Sequence, residues 1–117
     1  MPSTRSDAEQ SALRDMLYHV DLASRFVDGF NAQTFQADLR TIYAVTRCLE
    51  IISEASRRLS DGLKARHPAI EWKQMAGAGN VYRHDYEDVA AGYVWETVQR
   101  SLPPLRVVIA QELARTG

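Results

Sequence analysis

The chain has 117 residues and a mass of 13.2 kDa, room for one domain that buries about two thirds of its unfolded surface. Its 14 basic and 15 acidic residues nearly cancel, which excludes a global positive field and makes any nucleic-acid contact local. A single cysteine excludes an internal disulfide and a multi-cysteine zinc site, and no apolar run approaches the ~18 residues that cross a bilayer. With no apolar signal-peptide core behind Met1, the expected setting is soluble and cytoplasmic.

The first helix is expected to begin at Ser6, which has capping-box spacing to Glu9. Its apolar stripe is Leu13, Met16, Leu17, Val20, Ala23, Val27 and Phe30, and Gly29 and Asn31 mark its end. Thr34 is expected to cap a short turn into the strongest pattern of the chain. Ile42, Val45, Leu49, Ile52, Ser56, Leu59 and Leu63 alternate steps of three and four, which predicts one long helix. Beside them runs a second row, Ala44, Cys48, Ile51 and Ala55, so Cys48 reads as buried and inert. Gly62 weakens this helix by ~1 kcal/mol relative to alanine, and Pro68 stops it by disfavouring helical geometry at His67. Ile70, Trp72 and Met75 then lead into a polar run. A last helix is expected from about Gly92, with Val94, Val98, Leu102, Leu105, Ile109 and Leu113 on one face and a bend or split near Ser101 caused by Pro103 and Pro104. No alternating strand pattern, repeat or interdomain linker competes. The expected fold is an all-α, four- to five-helix up-and-down bundle, one domain over residues 1–117 with flexible tails at 1–6 and 115–117.

Chemistry concentrates in Gly77 through Tyr86, where Asn80, Tyr82, Arg83, His84, Asp85 and Tyr86 follow a small-residue stretch. His84 titrates near neutrality and suits proton transfer, Arg83 offers phosphate a planar permanent cation, and Tyr86 offers a phenolic oxygen. The competing reading is a surface helix end whose polar groups satisfy one another. His84 and Tyr86 are two apart, so a shared site needs a helix end, a turn or a second subunit. His19 and His67 have no metal-ligand spacing to another His or Cys and read as structural or solvated. Glu50 and Glu54 are four apart, but Arg47, Arg57 and Arg58 favour surface ion pairs over a metal site; Glu54 also borders the apolar row and is a candidate to support His84 from behind. Gly77-Ala78-Gly79 is too short for a phosphate-binding loop and reads as a close-packing stretch or a helix break.

Three segments taken together, Ile51-Ile52-Ser53-Glu54-Ala55, Pro68-Ala69-Ile70-Glu71-Trp72, and Gly77 to Tyr86 followed by Val94-Trp95, resemble the HepT-like branch of the HEPN superfamily over roughly residues 10 to 113. The resemblance implies a helical homodimer that acts as a toxin, a metal-independent endoribonuclease without cofactor. Its implied partner is a minimal nucleotidyltransferase antitoxin of the MntA type. The family motif sets an arginine four to six residues before a histidine, then one residue and a tyrosine. His84 and Tyr86 match the last two, and Asn80 matches the asparagine that often follows the arginine. At the arginine position the chain departs from the pattern, because Gly79 stands there and Arg83, directly before His84, is the available substitute.

In this resemblance, His84 moves the proton of a 2′-hydroxyl, Arg83 holds the phosphate, Asn80 orients it, and Tyr86 contacts the RNA and accepts AMP from the antitoxin. Arg47 and Arg83 would form a small basic cleft. Losing one preorganised charge stabiliser costs about 3–4 kcal/mol of barrier. The alternative is therefore a catalytically weakened binding partner that keeps Tyr86 as the nucleotidyltransferase substrate; a purely structural helical adaptor leaves the polar run unexplained.

Overall fold

The computed structural model describes residues 6–84 and 87–115, with side chains described over 6–78 and 91–115. Every regular element among them is helical. The first helix, α1 (Asp7–Phe26), starts where Ser6 Oγ accepts the Glu9 N–H at 3.1 Å, and Asp7 and Glu9 place negative charge at the positive end of its dipole. It ends as the Val27 N–H bonds the Ala23 carbonyl, and Gly29 then takes a left-handed φ of 85° that a side chain would resist. Leu13, Met16, Val20 and Ala23 are buried, as the stripe predicts.

The short α2 (Ala32–Gln36) is capped by Asn31 rather than Thr34. Asn31 Oδ1 accepts the Thr34 N–H at 2.8 Å, and Thr34 Oγ1 returns the bond to the Asn31 N–H at 2.9 Å. Thr34 is thus the third helical residue of a reciprocal box, a position from which its hydroxyl reaches back to the cap. Phe35 is fully buried and its ring lies 5.3 Å from that of Trp95.

The single long helix read from the sequence is two helices, α3 (Leu39–Ser56) and α4 (Asp61–Arg66). Leu59 and Leu63 stay buried, so the apolar periodicity survives the break. The break is stabilised by polar groups: Ser60 Oγ accepts the Leu63 N–H at 3.1 Å, and the Glu9 carboxylate, from α1, accepts the Ser60 N–H at 2.5 Å. Pro68 follows the α4 cap residue His67, as expected. The Trp72 indole N–H then bonds the Lys64 and His67 carbonyls at 3.2 and 3.0 Å, covering acceptors that the end of α4 leaves open.

Trp72 opens α5 (Trp72–His84), which runs unbroken through Gly77-Ala78-Gly79. Neither a break nor close packing occurs at Gly77, where an added Cβ would meet nothing within 4 Å. The next helix, α6 (Glu87–Glu96), starts before the expected Gly92 and passes into a π-helical turn over Thr97–Ser101 and then α7 (Leu102–Ala114). This turn is how the two prolines are accommodated. The Leu102 N–H reaches back five residues to the Thr97 carbonyl, and the wider turn gives the rings of Pro103 and Pro104 room where an α-helix would clash.

Packing follows the stripes. The core is built chiefly from α1 against α3, with α7 on α1 and α5 on α3, around Met16, Val20, Val45, Leu49, Ile52, Val94, Leu105 and Ile109. Two polar ties link these helices, the first on the surface and the second partly buried. Arg106 of α7 grips Asp21 of α1 at 2.6 and 3.1 Å. Arg66 grips the buried Glu112 of α7 at 3.1 and 2.8 Å, with His67 Nε2 2.6 Å from the same carboxylate. Among the described residues no helix is long and apolar enough to cross a membrane.

Candidate nucleic-acid site

The part of the polar run from Gly77 to His84 lies on α5. Asn80 therefore lies about one helical turn before Arg83 and His84, with Asn80 and His84 four residues apart. Their side chains lie outside the described residues, and so does Tyr86 altogether. Gly79 lies within the same continuous helix, so the register that would carry the family's arginine carries no side chain.

Contacts with α3 hold α5 in place just before these residues. Ser53, buried on α3, donates from Oγ to the Ala76 carbonyl at 3.1 Å, and Arg57 donates from Nε to the same oxygen at 3.2 Å. Ala76 is one turn before Asn80, so α5 is anchored to α3 directly below the polar run. Ser56 Oγ in turn donates to the Ser53 carbonyl at 2.7 Å. Reading the sequence did not single out Ser53 and Arg57 as the tie. A usable signal was present: two serines on the buried face of an apolar helix must find partners, because buried hydroxyls without them are costly.

The two described candidates on α3 face solvent. Arg47 has 72% of its side chain exposed and pairs with Glu50 at 3.5 Å. Glu54, 62% exposed, pairs at 3.4 Å with Arg58, which also reaches Asp15 at 3.4 Å. These are the surface ion pairs that the spacing suggested, each contributing little in water.

Other titratable groups have structural surroundings. His19 Nδ1 lies 2.7 Å from the Asp15 carbonyl, an acceptor only, so this nitrogen carries the proton. His67 serves Glu112 at the far end of the bundle. Burial pushes the Cys48 thiol up to about 11, which keeps it protonated at neutral pH. Among the described residues no three His, Cys, Asp or Glu side chains come together as a metal-binding group.

An all-α bundle of this kind has the architecture of a helical domain of HEPN type. Comparison with known proteins places it further: residues 16–112 match the family described as ribonuclease HepT-like. The chain belongs to that family. It is 34% identical over 94 residues to "Probable ribonuclease HepT" of Thermococcus cleftensis, covering 80% of this chain and 86% of that one. It is 31% identical over 94 residues to "Putative RNase MJ1216" of Methanocaldococcus jannaschii, covering 80% and 78%. No solved structure matches the chain.

Proposed function

We infer that this protein is an endoribonuclease of the HepT kind, the toxin of a toxin-antitoxin pair, which cleaves RNA without a metal at a site composed across a homodimer. The observation that supports the reading best is that α5 carries Asn80, Arg83 and His84 on one continuous helix, tied to α3 one turn before Asn80, in a chain of the ribonuclease HepT-like family. RNA supplies its own nucleophile. One His84 takes the proton of the 2′-hydroxyl, the 2′-oxygen bonds to phosphorus, and the bond to the 5′-oxygen breaks. The partner's His84 returns a proton to that oxygen, leaving a 2′,3′-cyclic phosphate and a 5′-hydroxyl. Arg83 stabilises the charge that gathers on the phosphoryl oxygens, and Asn80 orients the phosphate. Tyr86 contacts the RNA, and Arg47 extends the cationic surface.

In this reading a minimal nucleotidyltransferase antitoxin attaches AMP to Tyr86. The added phosphate repels RNA from Arg83 and His84 by charge and by bulk. Incubation with RNA in EDTA tests the core of the proposal: cleavage by wild type that falls in both His84→Ala and Arg83→Ala is expected, and cleavage surviving both defeats it. Intact-mass measurement after co-expression with such an antitoxin should show AMP additions in wild type and none in Tyr86→Phe.

One observation favours a second reading. Because α5 is continuous through Gly79, the family's arginine has no equivalent at its own register, and the charge must come from Arg83 or not at all. Absence of cleavage together with AMP addition at Tyr86 would identify the chain as a weakened toxin retained as the antitoxin's substrate.

A further inference from the structure

A cavity of about 330 Å³ opens between α3, α5 and the π turn, on the stretch of α5 just before the polar run. Its floor is apolar, with Leu49, Ile52 and Leu102 buried beneath it and Met75 half-buried at its side. Its rim is polar, with exposed Glu71 and Gln74 on the α5 side and Arg100 on the other. Such a combination of flat apolar surface and a few polar groups suits one planar heterocycle, and the volume lies at the lower end of the range for small-molecule sites.

The polar groups favour a particular ring. Glu71 presents a carboxylate, an acceptor only. Its two acceptor oxygens match a base that presents adjacent N–H donors. Guanine does so with N1–H and its exocyclic amine, whereas adenine, cytosine and uracil each place an acceptor beside the donor. Arg100, 82% exposed and paired with Glu96 at 2.8 Å, sits where it can exchange that surface carboxylate for a phosphate.

The location connects the cavity to the polar run. Ala78 lines it and lies six residues before His84 on one continuous helix, about 9 Å along the axis. We propose that this cavity is a guanine-binding subsite that seats one unpaired base of the RNA and so sets where the strand is cut. The inference rests on the ribonuclease reading above, and it adds a basis for sequence preference that the His84 cluster alone does not supply.

Equilibrium binding of GMP, AMP, CMP and UMP to the full chain tests it, with Glu71→Ala and with Gln74→Trp, an exposed position from which the indole covers the mouth. GMP should bind at least about tenfold more tightly than the other three, the effect of one well-placed hydrogen bond, and both variants should lose that preference while keeping the wild-type circular dichroism spectrum. A single-stranded oligoribonucleotide containing one G should displace GMP. Equal binding of all four nucleotides, no binding of any, or GMP binding untouched by Gln74→Trp overturns the subsite. GMP binding that the oligonucleotide does not displace overturns it in favour of a free-nucleotide site. RNA cleavage without GMP binding removes the subsite and leaves the ribonuclease reading standing; GMP displaced by RNA without any cleavage removes the nuclease and leaves the subsite.

Discussion

Glu112→Gln is expected to loosen the framework that carries the polar run. The carboxylate is 2% exposed and takes two charge-assisted bonds from Arg66 and one contact from His67. Those two residues end α4, whose carbonyls are bound by Trp72, the first residue of α5. Removing one partner from a buried ion pair commonly costs about 3–5 kcal/mol. Here the cost is smaller, because Arg66 is 42% exposed and water can take over its freed N–H groups, and because the amide keeps one acceptor of the same shape. About 2–3 kcal/mol is then the expected loss. For a chain of 117 residues the unfolding entropy is about 0.25 kcal/mol/K, so Tm should fall by about 8–12 °C. Thermal unfolding followed by circular dichroism measures it. A fall of under about 3 °C would mean that the Arg66–Glu112 tie does not hold α4 to α7, and the account of how α5 is positioned would fail with it.

Three further outcomes follow from single groups. Asp21 is held below the ordinary carboxylate range, chiefly by its hydrogen bond from Arg106, which desolvation opposes and the charges of Arg106 and Arg25 reinforce. The stability it contributes is present above the unfolded pKa and is lost as pH falls through the depressed folded value, so Asp21→Asn should lower Tm at neutral pH and match wild type at the acid end; a gap that is constant across pH defeats this. Cys48 should react with a thiol reagent at the rate of global opening in native protein and immediately in urea; fast native labelling would contradict its burial. Gly77→Ala should raise stability by about 0.5–1 kcal/mol, since the helix is continuous there and the new methyl meets open space; a fall in Tm would show that α5 is not helical at that point.

The site was legible as a composition before it was legible as a place. Residue types and order at His84 and Tyr86 picked out the polar run. Its anchoring through Ser53 and Arg57 to the Ala76 carbonyl was not legible, because those bonds join residues 23 and 19 positions apart. The expected long helix failed for the same reason. Periodicity runs through Leu59 and Leu63 without a gap, yet the chain turns at Ser60, where a carboxylate 51 positions away accepts its N–H. With Thr34 the error was local: a capping box has two ends, and Asn31 is the better one.

From the residues alone came the all-α class, the apolar faces of the helices, the start at Ser6, the stop at Pro68 and the interruption near Ser101, all set by interactions within a turn or two of the chain. Tertiary structure decided where the helices break, how the two prolines are absorbed into a π turn, and which helix holds the polar run. It also formed the cavity beside that run. Each of these depends on a buried hydrogen-bonding group or a void meeting a distant segment, and such partners are chosen only when the helices pack.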